Sequence, residues 1–212
     1  VYSDDGGMPW VPIARAQGIP ATPRSFNWPL YNAGAGNKYR VRVSWTTDPS
    51  LYDESNGSFS ISPLYFVNDS NTTNDIYCVQ PGNDTNDGKS PQTPKASIAS
   101  LLAAYDIQPG NIILVDTGYY RLTQDMVIEE QDGGSSTNHV RLIGSPRPGG
   151  TVIDRGVADS SSGVCFLLNA EYIDIEQFTL KGAVTGIRFA GGKNRYGYRI
   201  TNNRLLRCGI GG

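Results

Sequence analysis

Three short strand-turn units recur in the C-terminal half of the chain: Thr151-Val152-Ile153-Asp154-Arg155-Gly156, Phe178-Thr179-Leu180-Lys181-Gly182 and Leu205-Leu206-Arg207-Cys208-Gly209. Their closing glycines stand at 156, 182 and 209, a period of 26–27 residues. Self-similarity at about 20–50 residues marks a solenoid or a propeller, because each unit buries its apolar face only against its neighbours. Two more families of short strands lie between these units. Val164-Cys165-Phe166-Leu167-Leu168 recurs as Gly186-Ile187-Arg188-Phe189, and Tyr172-Ile173-Asp174-Ile175 recurs as Tyr198-Arg199-Ile200-Thr201. No helical pattern separates them. Three short strands per repeat favour a β-solenoid over a leucine-rich or ankyrin array. Asn169, Asn202 and Asn203 fall at the turns, where ordinary turn chemistry and amide stacking along the axis are both open readings.

The segment before the repeats is ordered like the beginning of such a solenoid. Gly82-Asn83-Asp84 and Asn86-Asp87-Gly88 are turn-formers, since Gly, Asn and Asp tolerate positive φ. Pro91 and Pro94 hold their neighbours extended. Ser97 is a candidate N-cap, and Ile98, Leu101, Leu102 and Tyr105 follow the spacing of a one-sided helix. Pro109-Gly110 ends it. Ile112-Ile113-Leu114-Val115 then reads as a strand buried on both faces. A helix over the end of a solenoid hides apolar rungs and unpaired edge groups.

Tyr77-Cys78-Val79, Pro81-Gly82-Asn83-Asp84, Asp87-Gly88, Pro94-Lys95-Ala96-Ser97-Ile98, Pro109 to Val115 and Gly118-Tyr119-Tyr120 together resemble the N-terminal start of extracellular right-handed parallel β-helix proteins, the pectate-lyase-like group. The resemblance covers residues 65–212. It implies an all-β fold with an N-terminal capping helix, the cap and first coils occupying 76–212 and a linker at 63–75. It also implies a secreted or cell-surface protein that engages polysaccharide. Catalytic and non-catalytic proteins share this start, so the resemblance carries fold further than function.

Residues 1–62 read differently. Val1-Tyr2-Ser3 and Trp10-Val11-Pro12-Ile13-Ala14 flank Asp4-Asp5-Gly6-Gly7, a hairpin pattern. Tyr39, Val41, Val43 and Trp45 alternate with Lys38, Arg40, Arg42 and Ser44, the signature of a half-buried antiparallel strand. Ser58-Phe59-Ser60-Ile61 reads as a closing strand. These segments resemble the later strands of an immunoglobulin-like or fibronectin-like β-sandwich, which needs about seven strands and about 100 residues. The expectation is a partial Ig-like module, with its first strands upstream of Val1 unless this sheet leans on the β-helix, and a β-helix that runs on past Gly212.

The composition suits a turn-rich all-β chain: 25 Gly, 13 Pro and 18% charged residues in 212. A net charge of −2 gives no footing for nucleic acid. No apolar run has membrane-spanning length. Cys78, Cys165 and Cys208 lack metal-ligand spacing. The repeat alignment puts Cys165 and Cys208 on different faces, which leaves all three as small buried hydrophobes. Sequons at Asn56, Asn68, Asn71 and Asn83 are expected by chance in an Asn-rich chain.

Lyases on this fold hold Ca²⁺ with carboxylates against a uronate and remove a proton with Lys or Arg. By that resemblance, Asp154, Asp174, Glu176, Lys181 and Arg188 are candidate carbohydrate contacts, with Arg155 beside them. A solvated charged solenoid face accounts for the same residues. No lyase signature matches residue by residue, so no catalytic residue is assigned. Asn83, Asp84 and Asp87, with Asn86, are candidate oxygen ligands for Ca²⁺, or a plain turn. His139 is the single histidine, read as a loop residue. Tyr119, Tyr120, Tyr196 and Tyr198 either stack on sugar rings or pack strand ends. Two functions follow. One is a surface β-helix protein engaging polysaccharide, lyase-like if catalytic coils lie outside this stretch. The other is a non-catalytic structural or adhesive component whose partners are copies of itself or other envelope proteins.

Overall fold

A computed structural model describes residues 1–13, 26, 28, 36–157, 162–191 and 195–208. The chain divides into two compact units, Val1–Pro63 and Leu64–Gly212. Both are built from strands. One α-helix, α1 (Ile98–Ala104), and a 3₁₀ turn at Glu130–Asp132 are the helical elements among the described residues. No helix there is long and apolar enough to cross a membrane.

The first unit is an antiparallel sheet around β2 (Gly36–Ser44), flanked by β1 (Tyr2–Ser3), β3 (Tyr52–Glu54) and β4 (Phe59–Ile61). Tyr2 exchanges two backbone hydrogen bonds with Val11, 2.8 and 2.7 Å, which closes the expected hairpin. Ala14 lies outside the described residues. The alternation of β2 holds, but burial does not follow it to the end. Tyr39 is buried with Ile61, whereas Val43 and Trp45 are 66% and 65% exposed. On the opposite face the Arg42 guanidinium lies 4.2 Å from both the Trp10 and Tyr52 ring centres and bonds Glu54.

Among the described residues, the second unit carries twelve strands in three parallel sheets. The first sheet holds β5 (Leu64–Val67), β6 (Ile112–Val115), β9 (Val140–Ile143), β12 (Ile173–Glu176) and β15 (Arg199–Thr201). The second holds β7 (Gly118–Arg121), β10 (Thr151–Asp154), β13 (Phe178–Lys181) and β16 (Arg204–Leu206). The third holds β8 (Met126–Ile128), β11 (Val164–Leu168) and β14 (Thr185–Phe189). From β6 onward the chain visits the first, second and third sheets in strict rotation. The stretch expected to be a linker therefore starts with β5, which pairs in parallel with β6 from Leu64↔Ile112 to Val67↔Val115.

Inward residues stack in apolar ladders along the pairing direction. Tyr65, Ile113, Leu142 and Ile175 are successive buried register partners in the first sheet, and Ile200 continues the row at 38% exposure. Tyr120, Ile153, Leu180 and Leu205 do the same in the second. Phe166 of the third sheet meets Phe178 of the second edge to face at 5.5 Å. Each fully buried side chain of this size is worth about 1.5–3 kcal/mol over exposure. These ladders, not the turn glycines, set the register. Aligning the glycines puts Asp154 opposite Leu180 and Lys181 opposite Cys208. The strands instead pair Asp154 with Lys181, and Lys181 with Leu206. Likewise Asp174 pairs with Arg199, one residue off the sequence alignment. A one-residue slip would turn every inward side chain outward, so the core overrules the turn.

The stretch from Ile76 to Tyr119 is held by one buried acid. The Asp116 carboxylate accepts the backbone N–H groups of Ile76, Tyr77 and Cys78, at 2.9, 2.8 and 2.6 Å, and of Thr117 at 2.7 Å. Helix α1 is capped by Ser97, whose hydroxyl accepts from Ser100 N, and it buries Ile98 and Leu101 in the common core. Tyr105 ends the helix and packs on Tyr65 at 5.2 Å.

Candidate functional site

Parallel pairing brings Asp154 and Lys181 side by side on the outward face of the second sheet. Lys181 Nζ stands 3.3 Å from Asp154 Oδ2 and 4.7 Å from the centre of the Tyr119 ring. The Tyr119 hydroxyl donates to the same carboxylate oxygen, and Gly156 N donates to Oδ1 at 2.8 Å. Burial opposes charge on Asp154, but the bonds from Tyr119, Gly156 and Lys181 outweigh it and hold the carboxyl below its ordinary range. Lys181 is shifted up, first by its contact with Tyr119 and then by Asp154, so it stays an ammonium. Gly182 makes the arrangement possible. Its φ is +69°, and a Cβ there would lie 2.2 Å from Asp154 Oδ1. Arg121, the register partner of Asp154 on β7, lies against Gly156.

At the other end of the same strands, at the turns that lead into the second sheet, lies a cleft of about 340 Å³. Arg147, Gln177, Thr179, Asn202 and Arg204 line it. Gln177 and Asn202 have φ of 65° and 58°, and Gln177 Oε1 is buried without a hydrogen-bond partner. Asn203 holds the corner by accepting from Phe178 N at 2.9 Å and donating to Ile175 O at 2.7 Å. Of the open readings for these Asn residues, Asn203 takes a third course: its amide bonds backbone of the preceding repeat.

Asp174 and Glu176 belong to the outward face of the first sheet. Asp174 is 2% exposed and receives His139 Nδ1 at 2.6 Å, with Arg199 at 3.7 Å and Arg141 at 3.9 Å. Arg141 reaches Glu176 through two nitrogens, 3.0 and 2.8 Å. His139, read from sequence as a loop residue, therefore sits immediately before β9 with its ring fixed by Asp174 and edge-on to Tyr172 at 5.6 Å. Nothing local in the sequence pairs residues 139 and 174; only the register of β9 with β12 does. The cluster balances two guanidinium groups with two carboxylates.

Arg188 is on the third sheet, exposed, opposite Leu167 and within electrostatic reach of Asp125. The five candidate carbohydrate contacts thus divide among three sheets: Asp154 with Lys181, Asp174 with Glu176, and Arg188 alone. Arg155 bonds Asp125 at 2.8 Å.

The proposed calcium ligands are occupied locally. Asn83 Oδ1 accepts Thr85 N and Oγ1. Asp84 Oδ1 accepts Ala96 N at 2.9 Å, Ser97 N at 3.1 Å and Ser100 Oγ, placing a carboxylate at the start of α1. Asp87 accepts Thr93 Oγ1 and Lys89 N, and the Thr93 bond leads in lowering its pKa. These are the bonds of a turn and a helix start. No group of three or more His, Cys, Asp or Glu side chains converges among the described residues. Among the sequon asparagines, Asn68 is fully buried, its amide donating to Asp75 and to Gln80 O.

Comparison with family models, curated proteins and solved structures returns no match.

Proposed function

We propose that Leu64–Gly212 forms the opening coils of a right-handed parallel β-helix that engages an acidic polysaccharide outside the cell or at its surface. The observation that carries this reading is the charge on the outward face of the second sheet. Lys181, Arg121 and Arg204, with Arg147 at the cleft, outnumber the two carboxylates beside them, Asp154 and Asp69, which accepts Tyr119 N at 2.9 Å. Tyr119, 48% exposed, adds a ring beside the ammonium for the apolar face of a sugar. Arginine and lysine together suit repeated carboxylates along a polymer. The rotation through three sheets supports the β-helix, and α1 supports a cap. Lysine held as ammonium is a poor proton acceptor, so the face favours binding over lyase chemistry.

The test is retention on immobilised polygalacturonate or alginate against a neutral glucan, at rising salt. Selective, salt-sensitive retention is expected. Equal retention on the neutral polymer, or none on either acid polymer, overturns the reading.

A structural or adhesive role draws on a different observation. Val43, Trp45 and Leu51 leave an apolar strip of the first unit open, 66%, 65% and 62% exposed. Concentration-dependent self-association abolished by Trp45→Ser would favour that role.

A further inference from the structure

We propose that Cys165 and Cys208 are a disulfide-forming pair that ties the third sheet to the turn after β16. Cys165 Sγ donates to Lys181 O at 3.5 Å, and Cys208 Sγ to Leu206 O at 3.7 Å. Lys181 and Leu206 are register partners on adjacent strands, and neighbouring strands lie about 4.8 Å apart, so the two thiols hang from neighbouring rungs of one corner. Cys208 also packs on the core cluster that contains Cys165. The repeat alignment, which placed these cysteines on different faces, is corrected by the same register shift that pairs Lys181 with Leu206. Cys78 stands apart, its thiol directed to Val67 O at 3.9 Å beside Asp116.

The two cysteines differ in access. Cys165 is fully buried and Cys208 partly exposed. Burial pushes the Cys165 thiol up to about 12, with the neighbouring Cys208 adding to it. A low-molecular-weight disulfide such as glutathione disulfide therefore meets Cys208 first. The Cys208 thiolate displaces one glutathione thiolate and forms a mixed disulfide. Cys165 then gives up its proton and attacks Cys208 Sγ, and the second glutathione leaves as a thiol. Two protein thiols lose two electrons and two protons, and one small disulfide becomes two thiols.

The experiment treats the folded 212-residue chain with excess glutathione disulfide at pH 8 and maps cysteines by peptide mass spectrometry. The expected product is a Cys165–Cys208 cross-link with Cys78 still free, so titratable thiols fall from three to one. The melting temperature should rise by about 5 °C and return on adding dithiothreitol, since closing a loop between 165 and 208 restricts the unfolded chain. Cys208→Ser should fold as the reduced protein does and show neither change. A lasting glutathione adduct on Cys208 without a cross-link, a link to Cys78, or a cross-link that forms only in denaturant would each overturn the pairing.

Discussion

The outward faces of the first and second sheets are made by the same parallel pairing, yet they use charge in opposite ways. On the first sheet, Asp174 and Glu176 are enclosed by His139, Arg141 and Arg199, and every formal charge has a partner on the next strand. On the second, Asp154 and Asp69 are outnumbered by Arg121, Lys181 and Arg204, and a cleft lined by Arg147 and Arg204 opens at the entering end of the strands. The first arrangement satisfies itself and has nothing left for a ligand. The second has cation to spare. Residues that look equivalent in sequence, an acid closing one strand and a base on the next, therefore do different work according to what the neighbouring strands bring beside them.

The sharpest break in this comparison is Asp174→Ala. It leaves His139 and two guanidinium groups around a buried hole, and removing one member of a buried charge cluster costs about 3 kcal/mol. Urea unfolding measures the loss. Polymer retention should be unchanged. If retention falls in a variant that remains folded, the first sheet is not the self-contained face described here.

Gly182→Ala acts on the other face. The added methyl meets Asp154 Oδ1 and the backbone is forced to keep a φ of +69°, a combined loss of about 1–2 kcal/mol. Unlike Asp174→Ala, it should lower retention as well, because Asp154 no longer seats Lys181. Unchanged retention would show that Lys181 needs no anchor.

The short parallel strands, the N-cap at Ser97 and the strand at Ile112–Val115 were legible because each rests on local chemistry: a turn residue, a cap, a run of β-branched side chains. Which side chains become neighbours was not. Glycine spacing gave nearly the right period, but the rungs are set by Ile153, Leu180 and Leu205 inside the core, and turns of different length absorb the difference. That slip hid both the Asp154–Lys181 pair and the nearness of Cys165 to Cys208. β5 was missed because Leu64–Val67 is short and its partner β6 lies more than 40 residues on. His139 was missed because its orienting partner is one repeat away. At Asp84 and Asp87 the pattern of an oxygen-ligand cluster coincides with that of carboxylates bonding backbone N–H groups, as these do with Ala96, Ser97 and Lys89.

Lys181→Ala combined with Arg204→Ala tests the surplus charge directly. Retention on polygalacturonate should fall about tenfold, near 1.4 kcal/mol, while stability changes by less than about 0.5 kcal/mol because both side chains are solvent-facing. The salt dependence of retention should flatten with it. Arg199→Ala is the matched control from the first sheet, also exposed, and should leave retention alone. Equal losses from the two faces would erase the distinction between them.

The smallest effect separates both faces from the acid that dominates mild-acid behaviour. Asp75 lies on neither face. Burial, opposed by its bond from Asn68 and reinforced by Asp116 and Asp69, raises its carboxyl to about 6. One of its oxygens, Oδ1, is buried without a hydrogen-bond partner. A folded-state value above the unfolded one means that the native chain holds the extra proton. The linkage therefore runs opposite to that of a salt-bridged acid: stability is higher near pH 4 and declines as pH rises through about 6. Asp154 behaves in the usual direction, its contribution present at neutral pH and lost only as pH falls below the ordinary carboxylate range. The two windows do not overlap, so a stability profile resolves them. Asp75→Asn keeps an acceptor for Asn68, removes the buried charge, and should raise stability at pH 7 by no more than about 1 kcal/mol, allowing for solvent screening at a partly exposed group. It should also flatten the profile between pH 4 and 6 while leaving the decline below pH 4, to which Asp154, Asp87 and Asp125 contribute. A profile between pH 4 and 6 that survives Asp75→Asn would show that Asp75 is not the acid responsible and point to Asp132, the other carboxyl raised by burial.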